Sequence, residues 1–316
     1  MNQLIQHIDL SVVVPLYNER DNIIDLYNRL IESLSKLDRH FELIFIDDGS
    51  TDGTAEVCKH LKPLTFIQFR GNYGKTAAMD AGIKNSRGDL IISLDGDLQN
   101  DPADISKLLV KIDEGYDVVV GWRKKRNDTL SKRITSRTAN ALRKVIFNDT
   151  IHDSGCALQI YRRECFSNLD LYGETHRFIP ALLSARGFAV TEVVVNHYPR
   201  IHGVSKYDNL RRGFKSLVDM LAIGFWNRFG ARPLHLFGVV GLLSIFLGGL
   251  FIAWMAIERI IFGVDIANRI WPLLGIFLIL MGAQFFMMGL LIDLNIRSFF
   301  KTNNQMNYHI RTIVHQ

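Results

Sequence analysis

Two carboxylates one glycine apart, in the stretch "SLDGDLQND" (93–101), follow directly on the apolar run Leu90-Ile91-Ile92. Such a pair at the end of a strand repels itself and gains nothing from burial, so it calls for a positive partner. In extended chain, residues i and i+2 face one side. Asp95 and Asp97 can then converge on one ion, with Gly96 keeping the approach open. Hard oxygen ligands suit Mg2+ or Mn2+. An EF-hand calcium loop starting at Asp95 needs glycine in sixth place and glutamate in twelfth. Those places hold Asn100 and Ser106, so that site is excluded. A solvated Asp-Gly turn has the same local pattern, and the stretch alone leaves both readings open.

The segments around the pair alternate in type. Residues 10–14 are apolar and β-branched up to Pro15, 22–34 have helical periodicity, and 41–46 form a second strand. Asp47-Asp48-Gly49-Ser50 then turns into a helix near 54–61. The pattern predicts further strands at 66–69, 90–94 and 117–120, a helix over 76–84, and a helix opened by Pro102. Strands alternating with helices make an α/β, mostly parallel sheet covered on both faces. Ligands of such sheets sit at the carboxyl ends of the strands. Tyr17-Asn18-Glu19, Asp47-Asp48 and Asp95-Gly96-Asp97 all fall there. "GNYGKT" (71–76) would need glycine where Phe69 stands to be a Walker A loop, and "DDGSTDGT" is not GxGxxG. A P-loop kinase and a dinucleotide-binding dehydrogenase both lose their support.

The 316 residues are 48% hydrophobic, unevenly spread. Neither 234–257 nor 270–292 contains a charged residue, and each can cross about 30 Å of hydrocarbon. Arg211, Arg212, Lys215, Arg228 and Arg232 precede the first run, and Arg297, Lys301 and Arg311 follow the second. Charges in the connector cancel. The positive-inside rule therefore places both termini in the cytoplasm and makes the chain a multi-pass protein of the cytoplasmic membrane. The short apolar stretch 10–16 leads straight into polar residues and does not read as a signal peptide. Three cysteines, Cys58, Cys156 and Cys165, form no CxxC pair and suit a reducing compartment rather than a zinc site. A net charge of +5 fits an anionic membrane or anionic ligands.

The ordered series "VVVPLYNERDNI", "FIDDGSTDGT", "GNYGKTAAMDAGI", "GDLIISLDGDLQNDP", "DSGCALQIYRRE" and "HGVSKY" resembles family 2 glycosyltransferases of the GT-A fold. Within them it is similar to the polyprenyl-phosphate glycosyltransferases, over about residues 11–209. The resemblance implies a domain over 1–210, and a trailing membrane-helix pair is typical of one subgroup. It places Pro15, Tyr17, Glu19, Ile46 and Asp48 around the donor's base and ribose. Asp95, Gly96 and Asp97 become the DxD element, with Gln99 as a further oxygen ligand, holding Mg2+ or Mn2+ on the donor diphosphate. Arg123 of "GWR" matches an arginine on a substrate phosphate, and Arg200 and Lys206 match a basic pair closing over the phosphates. Asp153 stands where the wider family carries its catalytic acid. A sugar hydroxyl needs a base there, but a lipid phosphate, with a second pKa near 6, arrives ionised. Asp153 is thus the weakest of these assignments. Gln159 and Arg162 match part of the QxxRW signature of processive synthases, but Arg163 replaces its tryptophan.

Two segments point to a lipid acceptor. Over 211–232, Phe214, Leu217, Val218, Leu221, Phe225 and Phe229 stand at helical spacing among basic residues, as in a helix lying in the membrane interface. The basic stretch 122–144 suits anionic lipid, and it lacks the interleaved aromatics of a nucleic-acid groove. Two membrane helices over 233–295 and a cytoplasmic tail over 296–316 complete the expected organisation. The resemblance implies an inverting, metal-dependent transfer of one sugar from a UDP- or GDP-sugar to undecaprenyl or dolichyl phosphate. Transfer to a lipid-linked or polysaccharide hydroxyl, and a non-catalytic nucleotide-sugar-binding protein, are the alternatives. A homo-oligomer is compatible with all three.

Overall fold

Short β-branched runs build one sheet. The computed structural model describes residues 7–124, 151–167, 169, 171–200, 224–225, 233–263, 265 and 270–303. It divides into two units, Met1–Ile223 and Gly224–Gln316. In the first, the strands are β1 (Leu10–Leu16), β2 (Phe41–Asp47), β3 (Thr65–Gln68), β4 (Leu90–Ser93), β5 (Val118–Trp122), β6 (Gln159–Arg162) and β7 (Val190–Val194). Their order is β3-β2-β1-β4-β6-β5-β7. β1 runs parallel to β2 and β4, β2 to β3, and β5 to β7. β6 runs antiparallel between β4 and β5. The sheet is mostly parallel, as the alternation predicts, but β6 and β7 carry no signal that the sequence reading used.

The helices are α1 (Ile23–Ser35), α2 (Thr54–Cys58), α3 (Lys75–Lys84), α4 (Ile105–Asp113) and α5 (Ile179–Ala185). α1 buries Ile23, Leu26, Tyr27, Leu30 and Leu34, and α4 buries Ile105, Leu108, Leu109 and Ile112. Both sets follow the i, i+3, i+4 stripe that seats a helix on a sheet. Asp101 caps the turn opened by Pro102, its Oδ1 accepting from the Ala103 amide at 3.0 Å. α3 comes closest to the sheet. A Cβ on Gly82 would lie 2.4 Å from Val13 and 2.7 Å from Ile46. α2 stops at Cys58, short of the expected Leu61, and the chain then turns toward β3.

The motif shared with processive synthases does structural work here. Arg162 donates to the carbonyls of Ile112 and Tyr116, closing the end of α4, and Arg163 donates to Gly88 O. The buried Gln159 donates to Cys156 O at 2.7 Å. Burial pushes the thiols of Cys58 and Cys165 up to about 12 and that of Cys156 up to about 11, so all three are poor nucleophiles at neutral pH.

The second unit is a helical hairpin, α6 (Pro233–Phe262) and α7 (Trp271–Asn303). Both helices are long and apolar enough to cross a membrane. They extend beyond the uncharged runs, α6 to Phe262 and α7 past Asp293 to Asn303. Glycines let the two backbones touch. A Cβ on Gly241 would meet Gly282 O at 2.6 Å, and one on Gly248 would meet Gly275 O at 2.7 Å. Such small-residue seams are how helices pack where no hydrophobic force drives them together. The expected interfacial helix at 211–232 lies outside the described residues except for 224–225, as do Lys206, the basic residues from 125 onward to 144, and the tail after 303. Gly241→Leu and Gly282→Leu must push the helices apart. Each should destabilise the hairpin by about 1–3 kcal/mol, read as a lowered thermal transition in detergent, whereas Gly249→Leu, where a Cβ meets nothing within 4 Å, should not.

Candidate active site

The carboxyl ends of β1, β2 and β4 gather the acidic residues, and paired loops fix them there. The β1 and β2 loops are stitched together: Asn18 N donates to Ser50 Oγ at 2.7 Å, Thr51 N to Asn18 Oδ1 at 2.8 Å, Glu19 N to Thr54 Oγ1 at 3.0 Å, and Arg20 N to Asp52 Oδ2 at 3.2 Å. Asn22 donates to Glu19 Oε2 at 2.6 Å and aims that carboxylate. Asn18 takes φ 53°, a left-handed position that asparagine tolerates better than most residues.

Asp48 organises the next loop. Its Oδ1 accepts from Tyr73 N at 2.7 Å and its Oδ2 from Gly74 N at 2.9 Å. Gly49 (φ 72°) lets this loop approach, since a Cβ there would lie 2.5 Å from Gly71 C. Burial raises the Asp48 carboxyl above its ordinary value, the two amides pull it back in part, and Asp47 adds to the rise. A carboxylate so held gains from any further donor, such as a base N–H or a ribose hydroxyl.

Asp95 and Asp97 lie beyond the end of β4, on a turn rather than on extended chain. Their placement is therefore set by turn geometry, including the buried Leu98 at φ 58°, and not by strand alternation. A Cβ on Gly96 would lie 2.4 Å from the Leu16 side chain, so this glycine lets the turn pack on β1. Each carboxylate has a basic partner. Lys75 Nζ donates to Asp95 Oδ1, and Arg200 Nη2 donates to Asp97 Oδ2 at 2.8 Å and stands 4.0 Å from Glu19 Oε1. Burial lowers the Arg200 guanidinium, but Asp97, Glu19 and Asp95 together leave it raised. Arg200 arrives because its segment pairs with the acid loop: Asn100 and His197 bridge, and Tyr198 N donates to Gln99 O at 2.9 Å.

At the β5 edge, Arg123 and Asp153 form a buried two-pronged pair, Nε to Oδ2 at 2.7 Å and Nη2 to Oδ1 at 2.9 Å. Burial alone would lower the guanidinium, and Asp153 more than reverses it. His152, next in sequence, stacks on Trp122 with ring centroids 4.6 Å apart and pairs with Glu192 of β7, pinning the loop from the other side.

The expected residues are thus placed unequally. Glu19, Asp95, Asp97 and Arg200 are brought together, with Tyr17 and Pro15 half-buried beside them on β1 and its loop. Ile46 is fully buried against α3, so its side chain is core, and only its backbone borders the loop. Gln99 turns its amide to Tyr198 O, 3.5 Å away, and not to the acids, although its backbone N donates to Asp97 Oδ1 at 3.2 Å. Lys75 is a residue that the sequence motifs do not single out. Among the described residues no three acidic, histidine or cysteine side chains converge to cage a metal. The two hard carboxylates of Asp95 and Asp97 would suit a Mg2+ or Mn2+ ion whose other ligands were oxygens from elsewhere.

Comparison with known proteins identifies the family and the fold. A family profile described as Glycosyl transferase family 2 matches residues 11–170. The dodecaprenyl-phosphate galacturonate synthase of Rhizobium johnstonii is 37% identical over 321 residues, covering 99% of this chain and 95% of that protein. The undecaprenyl-phosphate 4-deoxy-4-formamido-L-arabinose transferase of Shewanella sediminis is 34% identical, covering 98% and 94%. Among solved structures, mannosyl-3-phosphoglycerate synthase from Rubrobacter xylanophilus aligns with TM-score 0.55 at 17% identity over 70% of this chain and 75% of its own. Glucosyl-3-phosphoglycerate synthase from Mycobacterium tuberculosis, crystallised with Mn2+, UDP-glucose and phosphoglyceric acid, aligns with TM-score 0.52 at 21% identity over 68% and 80%. At such identities these two speak for the fold, which is GT-A. With a profile matched over half its length and relatives above 30% identity along nearly all of it, the chain belongs to glycosyl transferase family 2.

Proposed function

We propose that the chain moves one sugar from a nucleoside diphosphate sugar to a polyprenyl phosphate at the cytoplasmic face of a membrane, with inversion at the anomeric carbon. Relatives named for transfer to dodecaprenyl and undecaprenyl phosphate support the acceptor class, and the two apolar helices support a membrane setting. The observation that carries the reading is at Asp153. In the place of the family's acid, both of its oxygens are bonded to Arg123, a poor arrangement for a base and a good one for holding a cation.

In this reading Asp48 and Glu19 take the base and ribose, and Asp95 and Asp97 hold Mg2+ or Mn2+. The ion supplies Lewis-acid neutralisation of the departing diphosphate. The bond from C1 to the donor diphosphate breaks as a bond from C1 to the acceptor phosphate oxygen forms on the opposite face. That oxygen is already an anion, so no side chain need take a proton. Its approach to the diphosphate sets anion against anion, a Coulomb cost for basic groups to offset. Arg123, Arg200 and Lys206 are assigned to it, Lys206 from the sequence alone. The direct test is to incubate the purified chain with a panel of UDP- and GDP-sugars, Mg2+ or Mn2+ and undecaprenyl or dolichyl phosphate, and to extract the lipid. Sugar found only on hydroxyl acceptors would move the reading to the polysaccharide alternative. Donor binding with no transfer to any acceptor would leave the non-catalytic one.

Loss of the metal-side acid is expected to be severe. Asp97→Ala should cost about 3 kcal/mol or more of transition-state stabilisation, roughly a hundredfold in rate, and EDTA should silence the wild type. Near-normal turnover in either case would remove Asp97 from the metal role.

The acceptor can be read from pH. The rate should rise through about pH 6 with the acceptor phosphate's own ionisation. Asp153→Asn should lower turnover by loosening Arg123 yet keep that rise, whereas Arg200→Ala should lower turnover further. Disappearance of the rise in Asp153→Asn would make Asp153 the base and the acceptor a hydroxyl.

Topology is checked with reporters. One fused after Gln316 should report the cytoplasm, and one inserted at Val264 the outside, as the arginine-rich flanks require. Cytoplasmic signals at both sites would mean that the hairpin does not span.

A further inference from the structure

Lys75 is the first residue of α3, at the positive end of the helix dipole, where a cation is disfavoured. Its ammonium is answered by Asp95 across the sheet edge. The loop before it is fixed: Asp48 receives the Tyr73 and Gly74 amides, and Gly49 packs on Gly71. Lys75 is therefore held between Asp48, on the base-and-ribose side, and the acid pair on the metal side. That interval is where a diphosphate joining the two must lie. Arg200 answers the other acid of the pair in the same manner. Side chains of both cations are about a third exposed or less, 32% for Lys75 and 27% for Arg200, yet they reach the site by long flexible stems that can swing.

The geometry points to a charge handover, resting on the assignment of Asp95 and Asp97 to the metal: Lys75, with Arg200, competes with the divalent ion for the acid pair and passes to the donor's diphosphate when that anion enters. The reasoning is electrostatic. An ammonium bonded to a carboxylate repels a divalent cation on the same carboxylate, so ion and lysine oppose each other. A diphosphate between them reverses the sign, since it attracts both. Lysine suits this exchange because its ammonium is a compact point charge, free to take either anion, whereas the two-pronged fork of Arg123 on Asp153 is fixed. Metal and nucleotide are then coupled beyond their direct contact, by the amount that the lysine disfavours the ion alone and favours the nucleotide.

The experiment measures binding, not turnover. Full-length chain in detergent is titrated with Mn2+ alone, followed by electron paramagnetic resonance of the free ion, and then with UDP and with GDP at saturating Mn2+. Lys75→Met keeps the aliphatic stem, and Lys75→Gln serves as a second variant should the first fail to fold. The expected result is opposite shifts: Mn2+ alone binds about fivefold or more tighter than in wild type, while the better-bound nucleotide binds weaker by a similar factor. Lys75→Arg, which keeps the charge, should stay near wild type in both. Unchanged or weaker Mn2+ binding in Lys75→Met and Lys75→Gln would overturn the handover while leaving the metal site standing. No Mn2+ uptake by wild type, even with UDP or GDP present, would overturn the metal assignment of the acid pair and the handover with it.

Discussion

Five carboxylates, Glu19, Asp48, Asp95, Asp97 and Asp153, lie on loops at the carboxyl edge of one sheet, and each is partly or wholly withdrawn from water. Unpaired charges in that position are costly, so the local structure is organised around compensating them. Asp48 is answered by backbone amides of a loop, and the compensation in turn fixes that loop. Asp153 is answered by a buried guanidinium. Asp95 and Asp97 are answered by side chains on long stems, one from the start of α3 and one from the segment after β7. The first two partners are built into the fold. The last two are held only through flexible stems.

This division agrees with the roles proposed above, donor recognition for Asp48 and metal binding for Asp95 and Asp97. A group that recognises a base and ribose must keep its position whether or not the ligand is there, and backbone amides hold it without adding a mobile charge. Acids that hold a metal on a diphosphate face a different demand, because the net charge of the site changes by several units as ion and nucleotide arrive. Partners able to move from acid to phosphate keep the site near neutral throughout. Electrostatic groups that are in place before the reaction need little reorganisation during it, which is where most of their catalytic value lies.

Much of this was legible in the sequence because its signals are local. The acid pair, the Asp47-Asp48 turn and the Tyr17-Asn18-Glu19 loop announce themselves within a few residues of an apolar strand, and the membrane helices by their uncharged runs. The Arg123–Asp153 pair joins residues 30 apart, and nothing in the spacing of either one names the other. β6 is hidden because its four residues include a glutamine and an arginine, buried or capped by partners from distant chain, so its pattern is not that of a strand. β7 is a short edge strand whose Glu192 is drawn to His152. Lys75 carries no recognised motif, since "GNYGKT" is not a Walker loop. The signal was present in another form: a lysine opening a helix directly after a glycine at φ 93° breaks the dipole preference, and such local violations gather at functional sites.

The buried pair of Arg123 and Asp153 follows the same reasoning from the side of stability. Burying two ions costs about as much as their attraction returns, and a well-packed apolar pair in the same space is often as stable or more so. Stability alone therefore gives little reason for the pair. What it provides is a guanidinium whose orientation is fixed by two hydrogen bonds before any anion arrives, with the loop that carries Asp153 pinned in turn by the His152 stack on Trp122 and the Glu192 contact. A lysine in that place would be a mobile charge, as Lys75 is. The chain thus keeps a cation in place with a buried two-pronged fork at Arg123, and meets Asp95 and Asp97 with single contacts from the long stems of Lys75 and Arg200.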